Sequence, residues 1–316
     1  MLRCTMTLQG DNDWTAATPE AIAKALRQAD MLVDPADITL LQREDRFAAL
    51  LPGDWIAWFP LNRTGQMNLA REARVLGILA RRCDFRVPTV EHRAAGGWQL
   101  RRSVPGQCDP VATYRRTTDS RDFATVLGAG IGRMIASQHQ AVPLAELRGW
   151  LPDRPSWPEP KAKIQRDLAL VLDDAPLIRR AMQIIERYER PDDDGPTLVH
   201  ADLGFHNMVV DQSTGSLLGV FDYDDAALAD RHYDFRYLLL DVPDEALLLS
   251  AIAAYRAAGG GPIDIERVYL LNAASAVGFL ALRAGHGPDE RPAGRTLVED
   301  INWTRLALAR VENASR

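Results

Sequence analysis

The chain predicts an α+β fold in two lobes, a small antiparallel β lobe carrying a helix, then a larger, mainly helical lobe. Three observations predict it. Five short extended runs, punctuated by turn residues, fall before residue 105. Pro105-Gly106 then breaks the pattern. Beyond it nearly every long segment has helical periodicity, apart from two hydrophobic runs near residues 208 to 221. The boundary is therefore placed at 104/105, giving a lobe of residues 1–104 and a lobe of residues 105–316.

Each element has a local reason. Thr18-Pro19-Glu20 reads as an N-cap with proline at the first helical position, opening a helix to about Met31. Ile38 to Arg43, Phe47 to Leu51 and Trp55 to Phe59 read as strands, the last two joined by a tight Pro52-Gly53-Asp54 turn. Residues 66 to 82 repeat apolar side chains at helical spacing, through Leu69, Ala73 and Leu76. Val87 to Arg93 and Trp98 to Val104 form two further strands around Ala95-Gly96-Gly97. Helices are predicted over 120–140, 160–173, 175–189, 232–241, 244–257, 264–284 and 295–313.

Composition narrows the function. The chain has 316 residues, 47% hydrophobic and 25% charged, which suits a soluble globular protein. The net charge of −6 argues against nucleic acid or an anionic membrane as the main partner. Apolar runs such as Leu271 to Gly285 read as too short or too interrupted to span a bilayer. The first residues lack the apolar stretch of a signal peptide, and Cys4, Cys83 and Cys108 form no disulfide framework, so a reducing cytoplasm is expected. Oligomeric state is not readable.

The chemistry is concentrated in residues 198 to 225. His200, Asp202 and Asn207 stand in the order H-x-D-x-x-x-x-N, the spacing of the protein-kinase catalytic loop. Asp222 follows a second hydrophobic run, Leu217 to Phe221, beyond a turn at Asp211 to Gly215. Asp202 on such a loop can orient an acceptor hydroxyl and take its proton. Asn207 and Asp222 offer hard oxygen ligands suited to Mg²⁺. A hairpin of this length would bring the two ligands back together. The bland alternative is that these are polar residues flanking buried strands.

These residues resemble the aminoglycoside phosphotransferase and choline kinase-like family, which has the protein-kinase-like fold. "HADLGFHN" resembles that family's His-Gly-Asp-Leu loop ending in Asn, and "GVFDYDDAALADRHYDFRYL" resembles its Ile-Asp-Trp/Phe strand followed by Gly-Asp-Pro-x-x-Asp-Leu-Ala. The resemblance implies Asp202 as catalytic base, Asn207 and Asp222 as magnesium ligands, and Asp234 as the brace of the catalytic loop. Asp230 matches the Asp of Gly-Asp-Pro, with Ala229 and Arg231 as altered neighbours. His200 reads as a buried imidazole that shapes the loop. His139 matches a helix-end histidine of the family and reads as structural.

The small lobe departs from the pattern. The family usually places Lys or Arg on the third strand, where this chain has Trp58. Glu72 matches the helix glutamate that would pair with that cation, so its partner is unassigned; a solvated helix charge is the alternative. Lysine occurs only at 24, 161 and 163, and no glycine-rich loop separates the first two strands. Arg43, Arg46 and Arg63 are the candidates for phosphate contact, since guanidinium binds phosphate well.

The acceptor is less legible. Asp224, Asp225, Asp230, Asp234, Asp241, Asp244 and Glu245 could form a rim for a cationic acceptor, or could cap helices and brace loops, the favoured reading. Trp58, Trp98, Trp150, Trp157 and Trp303 could stack on a ligand or serve as core. The resulting expectation is a small-molecule O-phosphotransferase that uses Mg²⁺ and ATP, or GTP, on a hydroxyl of a small acceptor. The rivals are a non-catalytic nucleotide- or metabolite-binding pseudokinase and a metal-dependent phosphohydrolase.

Overall fold

The computed structural model describes residues 17–190, 195–240, 244–287 and 289–314. The chain divides into two compact units, and the division is not a single cut. One unit holds the residues up to Gly106 together with Leu218–Asp224, and the other holds Gln107–Leu217 and Asp225–Arg316. The division at 104/105 would leave Leu218–Asp224 in the second lobe, whereas that segment packs in the first.

In the first unit α1 (Pro19–Leu26) starts as expected, with Thr18 as its N-cap and Pro19 at its first turn. The strands β1 (Thr39–Gln42), β2 (Arg46–Leu51) and β3 (Trp55–Pro60) precede a long helix, α2 (Arg63–Arg82), and β4 (Thr89–Arg93) and β5 (Gln99–Arg102) follow it. The sheet is antiparallel, in the order β1-β2-β3-β5-β4. α2 begins a turn earlier than its periodicity suggests, because the Asn62 side chain caps Gly65 N–H.

Strand alternation sorts the sheet's two faces. Phe47, Ala49, Leu51, Ala57, Phe59, Trp98 and Leu100 join Ile22 and Leu26 of α1 in one core. Phe59 stacks between Phe47 and Trp98, at ring distances of 5.0 and 5.4 Å. The other face carries Arg46, Trp58, Gln99 and Arg101, through the registers Ala48↔Trp58↔Gln99 and Ile56↔Arg101.

The β1–β2 turn is short and tied down rather than glycine-rich. Asp45 accepts the Leu61 N–H at its backbone oxygen (2.8 Å) and the Asn68 amide at its carboxylate (2.7 Å). Gly65 is required beneath it, since a Cβ there would lie 2.1 Å from Asp45 O. Leu218–Asp224 lies equally close to its neighbours. A Cβ on Gly219 would meet Arg86 O at 2.6 Å, and Val220 N–H bonds that same oxygen at 3.0 Å.

The second unit is mainly helical. Its first helix, α3 (Pro110–Asp119), was not predicted, although Asp109 caps it and Pro110 opens it. Then come α4 (Arg121–Ala141), α5 (Lys161–Val171) and α6 (Ala175–Tyr188). Short strands β6 (Thr197–Val199), β7 (Met208–Val210) and β9 (Ala227–Ala229) follow, with β6 paired antiparallel to β9; β8 (Leu217–Val220), between β7 and β9 in the sequence, belongs apart from Leu217 to the first unit. The turn after β7 closes as expected, with Asp211 O accepting from Gly215 N–H and Asp211 N–H donating to Ser216 O. The helix expected over 232–241 is a 3₁₀ turn, Asp234–Arg236, running into the short α7 (Tyr237–Leu240). Asp241 lies outside the described residues. α8 (Ala246–Ala257), α9 (Ile265–Leu282) and α10 (Leu297–Ala314) complete the unit.

The segment Ile265–Gly285 corrects one expectation. By length and composition it is long and apolar enough to cross a membrane, yet it is mostly buried inside the fold. Its Ala273, Val277 and Leu280 pack with Ile164 and Leu168 of α5, Ile185 of α6 and Leu308 of α10. An apolar circumference is what a central core helix requires.

α4 and α8 pack backbone against backbone at two glycines of α4. Added Cβ atoms on Gly128 and Gly132 would sit 2.4 Å from Leu247 O and 2.0 Å from Ala251 O, both backbone atoms of α8. Neither obstacle can rotate away as a side chain would. Gly132→Ala should therefore cost about 1–3 kcal/mol through forced helix separation, lowering the urea midpoint. Gly285→Ala, with no atom within 4 Å of its Cβ, is the matched control and should leave it unchanged.

Candidate active site

The loop after β6 is held from beneath by one carboxylate. Asp234, fully buried, accepts the backbone N–H of His200 at 2.8 Å and of Ala201 at 3.0 Å. Burial pushes its pKa up, against the pull of His200, the two amides and Arg236. Arg236, also buried, donates to Ala201 O (2.8 Å), Tyr233 O (2.8 Å) and Ser275 Oγ (2.9 Å). Ala201 is thus held at both backbone groups, in a left-handed conformation with φ 71°. That conformation is costly for a residue with a Cβ.

The clamp aims Asp202. His200 is fully buried, and its Nδ1 accepts the Asp202 N–H at 3.3 Å. One Asp202 oxygen, Oδ1, accepts the Tyr237 hydroxyl. The other, Oδ2, accepts from His206 Nε2 and from the Asn207 amide, each at 3.0 Å. Burial would raise the Asp202 pKa, but the His206 and Tyr237 contacts outweigh it and hold the carboxyl well below the usual range. The Asn207 amide nitrogen also donates to Asp202 O at 2.8 Å. Its nitrogen end is committed to Asp202, which leaves its oxygen end as the donor a hard cation would use.

Asp202 opens onto a cavity of about 210 Å³ walled by Pro155, Ser156, Trp157, Tyr237 and Phe279, with Asp225 at its edge. Trp157 and Phe279 pack ring against ring at 4.9 Å. The other large indoles have other duties: Trp98 is core, and Trp150 donates to Glu146 O. Asp230 does not touch the catalytic loop. It accepts from His232 and from Arg267 Nε (2.6 Å), and so ties its own turn to the start of α9. Asp244 caps Ala246 N–H and Glu245 accepts the Tyr269 hydroxyl, which is the bracing role favoured for these acids. His139 bonds the Tyr255 hydroxyl at 3.0 Å, and burial pushes its pKa down to about 3. It is neutral and structural, its partner a side chain rather than the helix-end backbone.

The first unit has its own charged constellation. Glu72 is buried and paired, so it is not a solvated charge. Arg101 Nη1 donates to its Oε2 at 2.6 Å, and the guanidinium's Nε and Nη2 donate to Gln99 Oε1. The missing cation thus stands on β5, the strand paired directly with β3, opposite Ile56 and not at position 58. Arg46 is also buried and grips Asp224 with both terminal nitrogens, while Arg71 donates to Asp224 O at 3.0 Å. Trp58 lies under both cations, 5.5 Å from Arg46 and 5.8 Å from Arg101. Arg43 and Arg63 are exposed. Asp222, two residues before Asp224, takes a left-handed φ of 65°, which an Asp tolerates better than most residues.

Among the described residues no group of three or more His, Cys, Asp or Glu could hold a metal ion.

A braced loop presenting one ionised carboxylate, downstream of an antiparallel sheet with a buried helix Glu–Arg pair, defines the protein-kinase-like class. The family model described as the phosphotransferase enzyme family (APH) matches residues 45–271, and the chain belongs to that family. Among solved structures, the GDP complex of wild-type aminoglycoside 2′-phosphotransferase-IIIa superposes with a TM-score of 0.67 at 20% identity, over 92% of this chain and 98% of that one. Macrolide 2′-phosphotransferase MphH from Brachybacterium faecium gives 0.61 at 21% identity, over 92% and 98%. A GDP and kanamycin complex of an aminoglycoside 2″-phosphotransferase gives 0.64 at 19%, over 93% and 97%. No curated protein matches. The fold is thereby the kinase-like one of these phosphotransferases.

Removing one partner of the buried pair should expose its value. Glu72→Ala leaves the Arg101 charge buried and uncompensated, and should cost about 3–5 kcal/mol. Glu72→Leu combined with Arg101→Met should recover most of that loss, measured as urea midpoints in a double-mutant cycle.

Proposed function

We propose that this protein transfers the γ-phosphoryl group of ATP or GTP to a hydroxyl of a small molecule. The observation that carries the reading is the ionised Asp202 carboxylate, clamped on the braced loop and open to a small cavity. In the transfer, the acceptor hydroxyl donates to Asp202 and gives up its proton there. The acceptor oxygen bonds to the γ-phosphorus, and the bond from that phosphorus to the bridging oxygen breaks, releasing nucleoside diphosphate. A carboxylate with so low a pKa is a weak base, so its main contribution is orientation of the nucleophile until transfer is nearly complete. Mg²⁺ held by Asn207 and Asp222 would neutralise phosphate charge. Arg43, Arg46 and Arg63 remain the small-lobe candidates for further phosphate contact, Arg46 by exchanging Asp224 for phosphate.

The cavity supports a small acceptor. Its aromatic walls suit an apolar or cationic body, and its carboxylates suit hydroxyl or ammonium groups. The resembling structures include a GDP and kanamycin complex and a streptomycin–ATP complex, so both ATP and GTP belong in the screen. Nucleoside diphosphate release should be followed with kanamycin, gentamicin, streptomycin, a macrolide, choline, homoserine and simple sugars. One observation favours the non-catalytic alternative: Trp58 occupies the usual cation position and Arg46 is already engaged. Thermal shifts with each nucleotide, with and without Mg²⁺, separate the two readings.

Two substitutions test the assignment. Asp202→Asn should lower turnover about a hundredfold or more while leaving nucleotide affinity intact. Turnover near wild type would remove Asp202 from the reaction. Asp222→Ala should abolish the Mg²⁺ dependence of nucleotide binding in calorimetry, with Asn207→Ala milder, because a carboxylate supplies charge and an amide only a dipole. Equal Mg²⁺ dependence in wild type and Asp222→Ala would sink that role.

A further inference from the structure

We propose that Tyr237 is a positioning residue for the transfer: its hydroxyl takes one lone pair of Asp202 Oδ1 and confines the acceptor hydroxyl to the other. The inference rests on the phosphotransfer reading of Asp202, and it names the lone pair that reading leaves open.

An ionised carboxylate offers about four lone-pair positions, two on each oxygen. Oδ2 is filled by two donors, His206 Nε2 and Asn207 Nδ2, each at 3.0 Å. Among the described residues Oδ1 holds a single donor, the Tyr237 hydroxyl. One position remains, and it is on Oδ1, beside the phenol oxygen. The acceptor hydroxyl that bonds Asp202 therefore sits next to Tyr237, with its carbon facing the aromatic cavity that Tyr237 helps to wall.

Tyr237 is built to stay there. It is 8% exposed, and the Arg236 guanidinium lies 4.5 Å over its ring. Arg236 is itself fixed to Ala201 O, Tyr233 O and Ser275 Oγ. The phenol and the loop it serves thus hang from one side chain. Burial, reinforced by Asp202, pushes the Tyr237 pKa well above its usual range, so the phenol remains a donor. The family pattern gave no reason to look at this position, which lies just past the last matching residue.

Water serves as the probe acceptor, because it presents the same O–H. Phosphate release from Mg·ATP and Mg·GTP is measured for wild type, Tyr237→Phe and Asp202→Asn, with Mg·ADP affinity and Tm as controls. Tyr237→Phe keeps the ring and removes only the donor. Its kcat should fall about tenfold or more, with nucleotide KM, Mg·ADP affinity and Tm close to wild type. Tyr237→Leu should fall at least as far. Unchanged or faster release by Tyr237→Phe, while Asp202→Asn is inactive, overturns the inference and leaves the phosphotransfer reading standing. A fall in kcat matched by losses of Tm and Mg·ADP affinity also overturns it, in favour of a purely structural tyrosine. Release absent in wild type with both nucleotides, or indifferent to Asp202→Asn, overturns the phosphotransfer reading and this inference with it.

Discussion

The Asp234 carboxylate is the contact on which the loop after β6 depends. It satisfies two successive backbone amides that the end of β6 leaves without strand partners. Buried amides of this kind must find an acceptor, and a carboxylate bridging both also dictates their direction. With the amides fixed, the carbonyl of Ala201 turns toward Arg236 and the residue is driven into the left-handed region. Asp202 then leaves the loop in one orientation only. A neutral acceptor could replace the bonds but not the balance with Arg236, whose charge lies equally deep.

Much of this was readable from the chain. Asp202, Asn207 and Asp222 announce themselves by spacing, and Thr18, Pro52-Gly53 and Asp211 by capping and turn chemistry that acts over a few residues. Asp109-Pro110 carried the same kind of signal for α3, and was masked by the adjacent Pro105-Gly106 break. The strand order was not readable. β5 inserts between β3 and β4, so residues far apart in sequence become cross-strand neighbours, and no local pattern reports that. Arg101 became Glu72's partner through that insertion. Alternation did place Arg101 on the opposite face from Trp98 and Leu100, yet alternation cannot say which helix waits there. Tyr237 was hidden for a related reason. Its meaning lies in a lone pair on Asp202, and only coordinates show which lone pairs are taken.

The buried charges around Trp58 are paired. Glu72 is matched by Arg101 and Asp224 by Arg46, with Trp58 as the common floor. This explains how a tryptophan can stand where the resemblance implied a cation. A lysine placed at 58 would meet two guanidinium groups at close range, and the resulting repulsion would work against the positive charge it was meant to supply.

The detached strip Leu218–Asp224 has a practical bearing on how this chain can be divided. A gene fragment ending at Gly106 would encode most of the first unit but lack the carboxylate that Arg46 grips and the backbone that covers Arg86 and Val104. Its guanidinium would be left in a half-built interior, and Arg86 O would lose its Val220 N–H. The complementary fragment would carry that strip with nothing to receive it. Neither half is a natural unit of expression, and a split version of the protein would need its breakpoint elsewhere, or the strip supplied as a peptide in trans.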